Sequence, residues 1–202
     1  MKRTPVLVAG LGALVLLAGC GGGAPERVYT PAAAAPSQEK TAARSTPTET
    51  PGDGTISVGR QLRIQVDWPE RRDPLLRLFV DYYVESWKAV VLGDGDFGDN
   101  LELSAMPEAD RWVRLFTDKG WSMKGVTRLY DIRVKATYGK GAQVNTCVDE
   151  TGLSLLSAEG QVVKKPSTWP RKPFLQAVIA HRDDQGTWRI RTFLNDKEGC
   201  PR

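Results

Sequence analysis

Few residues of this 202-residue chain stand in an arrangement that does chemistry. A general acid or base in a small domain needs an Asp, Glu, Tyr or His on an inward face, where burial moves its pKa towards the working pH. Asp81 and Glu85 fall on the polar side of a helical repeat, Asp131 on the polar side of a strand repeat, and Asp149 on the side opposite Val148. No acid is thereby placed inward, and no catalytic residue is assigned. Tyr83, Tyr130 and Tyr138 fall inward, a placement that suits packing with the hydroxyl at the edge. His181, the only histidine, stands beside Asp183 and Asp184, as a strand-end surface residue or as half of a dyad. Gly93 to Gly98 (GDGDFG) matches G-x-G-x-x-G by letter, yet it follows a helix and opens none, which excludes a dinucleotide loop. Asp94, Asp96 and Asp99 do not make an EF-hand, because Ala105 stands where the closing Glu is required. One histidine and three unclustered cysteines point to no zinc site. No metal and no cofactor is expected.

The elements that must carry these residues are legible from period and punctuation. Asp73-Pro74 is an N-cap followed by proline at the first helical position. From there to Leu92 the residues Leu75, Leu76, Phe79, Tyr83, Trp87 and Val90 share one arc at 100° per residue, and Gly93 ends the helix. A second helix is predicted from Pro107 to Lys119, with Ala109, Trp112, Val113 and Phe116 inward. The period then switches to two. Tyr130 to Tyr138 alternates with Asp131, Arg133, Lys135 and Thr137. Ala142, Val144, Thr146 and Val148 share one face of the next strand, and Cys147 points to the other. Leu153–Ser157, Phe174–Arg182 and Thr187–Leu194 complete the set. The expected fold class is α+β, with a long N-terminal helix and a short helix on a curved antiparallel sheet of four to five strands.

Ahead of these elements the composition changes twice. Lys2 and Arg3 precede an uncharged stretch from Pro5 to Ala18, too short for a transmembrane span and of the length of a secretory h-region. It ends in Leu17-Ala18-Gly19-Cys20, which resembles the lipobox of bacterial lipoproteins. That resemblance implies a signal peptide over 1–19 and a diacylglyceryl thioether on Cys20. Residues 20–58, rich in Gly, Pro, Ala, Ser and Thr, are expected to form a disordered tether. Residues 59–202 hold all six tryptophans and are expected to form the folded domain. With Cys20 lipidated, Cys147 and Cys200 remain as an even pair outside the cytoplasm, and a disulfide between them is predicted. The expected location is the extracytoplasmic face of the cell membrane, with the membrane as partner through the anchor.

The order of helices and strands from Asp73 to Cys200 resembles the nuclear-transport-factor-2-like, or cystatin-like, cone fold. More narrowly it is similar to small secreted lipoproteins of high-GC Gram-positive bacteria. The segments carrying the likeness are Trp87–Asp94 with Leu103-Ser104-Ala105, then Asn145–Asp149, then Gly186–Ile190. None of them is catalytic. The resemblance implies fold and location, although the same cone hosts ketosteroid isomerases and SnoaL-like polyketide cyclases, and it often dimerises through its sheet face.

Charge narrows the partners. The 28 basic and 24 acidic residues nearly balance, a mixture that argues against nucleic acid. The loop bearing Lys164, Lys165, Trp169, Arg171 and Lys172 is the candidate contact with anionic headgroups or wall polymers. Two functions stay open. The first is a non-catalytic binding or scaffold domain for an envelope protein or component, with a homodimer allowed. The alternative is a small-molecule-binding or SnoaL-like enzymatic cone lined by Tyr83, Trp87, Trp112 and Tyr130. A titratable residue inside an open cavity would separate them.

Overall fold

The computed structural model describes residues 54–71, 73–194 and Cys200. The segment 1–19, Cys20 and most of the stretch read as a tether lie outside the described residues. Among the described residues no helix is long and apolar enough to cross a membrane.

Two strands come first among the described residues, β1 (Thr55–Val58) and β2 (Leu62–Val66), joined as an antiparallel hairpin. In β2, Leu62, Ile64 and Val66 are buried while Arg63 and Gln65 are exposed, as the pleat requires. The sheet therefore begins four residues before the expected boundary at Gly59. Helix α1 (Pro74–Leu92) follows. It is long, as expected, but it is not N-terminal, because the β1–β2 hairpin precedes it. The Asp73 carboxylate accepts from the Leu75 amide at 2.8 Å, and Gly93 closes the helix at φ 68°. Twelve of its residues are buried, Leu78, Val80, Tyr82 and Val84 among them, so α1 is enclosed well beyond one apolar arc. Arg77 and Asp81, half exposed and 3.7 Å apart, mark the solvent side.

After a single 3-10 turn at Phe97–Asn100, α2 (Met106–Thr117) packs on α1. Then come β3 (Ser122–Tyr138), β4 (Gly141–Asp149), β5 (Leu153–Leu156), β6 (Phe174–Arg182) and β7 (Trp188–Leu194). The result is a mixed α+β unit whose curved, open sheet has seven strands rather than four or five, in the order β1-β2-β3-β4-β6-β7 with β5 paired to the start of β3. It is not purely antiparallel. β2 runs parallel to β3, with α1 and α2 inside the long crossover such a pair needs.

Strand β3 departs from the simple alternation read in the sequence. Asp131 sits at φ 49°, and the register with β4 slips between Tyr130 and Arg133. This bulge moves the inward face from Thr127 and Leu129 to Ile132. Tyr130 is thereby left half-buried, and Tyr138, at the hairpin tip, is 92% exposed. On β4 the expected split holds: Ala142, Val144, Thr146 and Val148 share one face, and Cys147 on the other bonds to Cys200 with 5.7 Å between their Cα atoms. A bridge closing a 53-residue separation contributes on the order of 4 kcal/mol in the chain-entropy account.

Candidate functional site

The β4 alternation extends one residue further than the strand. The next position on the face of Val144, Thr146 and Val148 is Glu150, which turns inward and is 7% exposed. Its cross-strand neighbour follows from the Arg128–Asp149 pairing and is Thr127, fully buried on β3. Tyr83 of α1 completes the group. Its hydroxyl donates to Glu150 Oε1 at 2.9 Å and lies 3.0 Å from Thr127 Oγ1. With Tyr83 donating to a carboxylate, Thr127 is the donor to Tyr83. With the carboxyl protonated, the chain can also run the other way.

Burial is the main influence on both ionisable members. It pushes the Glu150 carboxyl up from 4.5 to about 7, against the opposing effects of the Tyr83 hydrogen bond and the Lys165 charge, while Asp149 adds to the rise. Burial, followed by the negative charge of Glu150, holds the Tyr83 phenol well above its usual 10.0. Tyr83 is thus a neutral hydrogen-bond donor throughout the physiological range. Glu150 gains or loses its proton within it.

This group lies at one side of an open cavity of about 520 Å³. Helix α1 contributes Tyr82, Tyr83 and Ser86; helix α2 contributes Glu108, Ala109, Trp112, Leu115 and Phe116, with Lys119 and Trp121 just beyond it. The ends of β6 and β7 add Phe174 and Phe193. The last wall is the 166–170 loop, from which Pro166, Thr168, Trp169 and Pro170 line the space. Trp112 and Phe116 meet edge to face at 5.1 Å, and Phe116 and Trp169 at 5.9 Å. Two lysines rest on the tryptophans of this wall: Lys119 Nζ is 4.2 Å from the Trp121 ring centre, and Lys165 Nζ 5.2 Å from that of Trp169.

The expected lining residues divide evenly. Tyr83 and Trp112 do line the cavity. Trp87 does not; it is fully buried beneath it, edge to face with Trp112 at 4.9 Å and with Tyr83 at 6.3 Å. Tyr130 also stands outside, with the Arg128 guanidinium 5.3 Å from its ring. Both differences have a geometric origin: α1 turns Trp87 into the helix–sheet core, and the Asp131 bulge shifts Tyr130 off the inward face. The basic loop is likewise split. Lys164, Arg171 and Lys172 are exposed, whereas Trp169 packs into the cavity wall with its indole nitrogen buried.

Elsewhere the chemically suggestive residues have structural partners. His181 Nδ1 lies 2.8 Å from Glu102 rather than beside Asp183, and Arg191 bonds the same carboxylate through Nε at 2.8 Å. Asp183 instead receives the amides of Gln185 and Thr187 and pairs with Arg189. Gly95 is required for packing, since a Cβ there would stand 2.4 Å from the Glu85 carbonyl oxygen of α1. Among the described residues no group of three His, Cys, Asp or Glu side chains is gathered for a metal.

Glu150 is the residue that inspection of the sequence overlooked. Counting Ala142, Val144, Thr146 and Val148 on by two reaches it, one residue past the end of β4 at Asp149, the acid on the other face.

No family model matches the chain, and no curated protein does. Among solved structures, Aln2 from a Streptomyces species, determined at 1.8 Å, is 14% identical; the match covers 62% of this chain and 92% of that one, with a TM-score of 0.41.

Proposed function

We propose that this protein is a lipid-anchored extracytoplasmic receptor of cone type, whose interior binds a small, largely apolar molecule with one polar group set against Glu150. The observation that carries this is a buried, hydrogen-bonded carboxyl at the side of an open 520 Å³ cavity with aromatic walls. Ligand sites combine apolar walls and a few convergent polar groups in volumes of roughly 300–1,000 Å³. A domain needing only a core would fill this space. The cone reading draws further support from a long helix set against a curved, open sheet with a second helix packed on the first. The anchor is supported by Leu17-Ala18-Gly19-Cys20 in the sequence, and the extracytoplasmic side by the Cys147–Cys200 disulfide.

Docking of an acidic partner on the sheet has less support. Arg133 pairs with Asp131, Arg189 with Asp183 and Arg191 with Glu102, so these three strand arginines are already compensated. Catalysis is the second reading, and one observation favours it. A carboxyl titrating at about 7 beside a neutral phenol can give or accept a proton at working pH.

Native mass spectrometry of the gently purified full chain tests the receptor. A non-protein adduct is expected, and Leu115→Trp, which places an indole at the cavity rim, is expected to lose it. A bare chain in both cases counts against a small-molecule receptor. Replacing Cys20 by Ala should move the protein out of the membrane fraction; retention there would refute the anchor.

A further inference from the structure

The cavity carries an unusual electrostatic arrangement. Its lining holds two carboxylates, Glu108 and Glu150, and one ammonium, Lys119, which already rests on Trp121. The ion pairs among the described residues do not include Glu150. Lys165 is the cation whose field reaches it, yet the Lys165 ammonium sits over the Trp169 ring. A buried carboxylate without a counter-ion is costly, and a ligand that supplies one recovers that cost. The walls point the same way. Ring faces attract ammonium groups within about 6 Å of the ring centre. Two cavity tryptophans, Trp121 and Trp169, already hold lysine ammonium groups in this manner.

We infer that the cavity selects a cation: a substituted amine or quaternary ammonium on an apolar body, its charge set against Glu150 between Trp112, Phe116 and Trp169. This rests on the small-molecule reading above and adds the ligand's charge. An anionic ligand would meet Glu108 and Glu150, while the nearby Lys119 and Lys165 ammonium groups already rest on Trp121 and Trp169. A neutral one would leave Glu150 either ionised without a partner or protonated.

The groups facing Glu150 that bear on its pH response are Tyr83 from α1, Thr127 from β3, Asp149 beside it, and Lys165 from the loop; Glu108 and Lys119 share the cavity. Because Glu150 titrates at about 7, cation binding that needs its charge should tighten about tenfold from pH 6 to pH 8. Removing the Lys165 charge should tighten it further at pH 8, where Glu150 stays ionised.

The test uses the full chain and two probes of one shape, benzyltrimethylammonium and its neutral carbon isostere neopentylbenzene. Binding is read from the indole N–H signals of Trp112 and Trp169 by NMR. The cation is expected to bind at least tenfold tighter than the isostere, with the stated rise in affinity with pH. Glu150→Gln, which keeps an acceptor for Tyr83, should weaken the cation about tenfold or more and leave the isostere unchanged. At pH 8 Lys165→Met should strengthen the cation alone, and persistence of the pH rise in this variant assigns the rise to Glu150. Equal binding of the two probes, or cation affinity that falls with pH, overturns the charge preference and leaves the receptor standing. Failure of both probes to move either indole signal overturns the receptor as well.

Discussion

Two glutamates of this domain, Glu150 and Glu102, each take hydrogen bonds from other parts of the fold, and their proton affinities move in opposite directions. Glu102 receives Arg191 and His181 at the protein surface, and the Arg191 hydrogen bond leads in holding its carboxyl below the ordinary range. Glu150 receives a neutral phenol in the interior, where burial outweighs the hydrogen bond and lifts it to about 7. Hydrogen bonding is common to both. Burial separates them first, and a cation at contact second. Glu102 is a fastener between the segment after the 3-10 turn and strands β6 and β7. Glu150 is held in a state that a ligand can change.

The largest way to break this contrast is through pH. Between 4.5 and about 7 the folded protein keeps a proton on Glu150 that the unfolded chain releases, so stability should fall as pH rises through this window. The expected loss is about 3 kcal/mol over the whole window, from the linkage value of 1.36 kcal/mol per pKa unit, and about 2.5 kcal/mol of it falls between pH 5 and pH 8. Urea unfolding at pH 5 and pH 8 measures it, and Glu150→Gln should abolish the difference by making the protein more stable at pH 8. Glu102 has the reverse sign: its contribution is complete above the ordinary carboxylate range and lost only as pH falls through its lowered value. An unchanged slope in Glu150→Gln would place the two glutamates in the same class.

A smaller effect is expected from Tyr83→Phe, which takes away the donor that Glu150 depends on. A loss of about 2 kcal/mol at pH 8 should accompany a further rise of the Glu150 titration, followed by carboxyl-carbon NMR. Thr127→Val should cost about 1 kcal/mol and barely move that titration, since Tyr83 still donates. Arg191→Ala closes the series. It should cost no more than about 1 kcal/mol, return the Glu102 titration towards its ordinary value, and leave the slope between pH 5 and pH 8 untouched. A large effect of Arg191→Ala on that slope would show that the two sites are coupled.

What could be read in the chain beforehand depended on local signals. Asp73-Pro74 and Gly93 bound α1 because a cap, a fixed φ and a left-handed terminator act within a few residues. The Cys147–Cys200 bond was accessible by elimination and by the face that Cys147 takes on β4. The bulge at Asp131 was not accessible. It is a two-strand property, set by how β3 must curve past β4, and nothing in Tyr130-Asp131-Ile132 breaks the alternation. The placing of Tyr130 failed for that reason, whereas Tyr138 is exposed because it stands at the tip of the β3–β4 hairpin. β2 carried its signal openly in Leu62, Ile64 and Val66, yet its parallel partner lies some sixty residues away across two helices. For the site, Tyr83 and Trp112 followed from helical phase. Glu150 required carrying a strand pattern past the strand's end, where alternation ordinarily gives way to turn geometry.

The 166–170 loop has a consequence for how quickly and at what entropic cost the cavity fills. Pro166 and Pro170 flank Trp169, Pro173 follows, and the Trp169 amide bonds back to the Pro166 carbonyl at 3.0 Å. Prolines remove backbone freedom before any ligand arrives. An ordinary flexible flap must surrender that freedom on closing, at a penalty charged against affinity. A wall stiffened in advance behaves as a doorframe instead of a door. Entry then depends on the ligand's own shape, and occupancy should leave the main chain of this loop where it was.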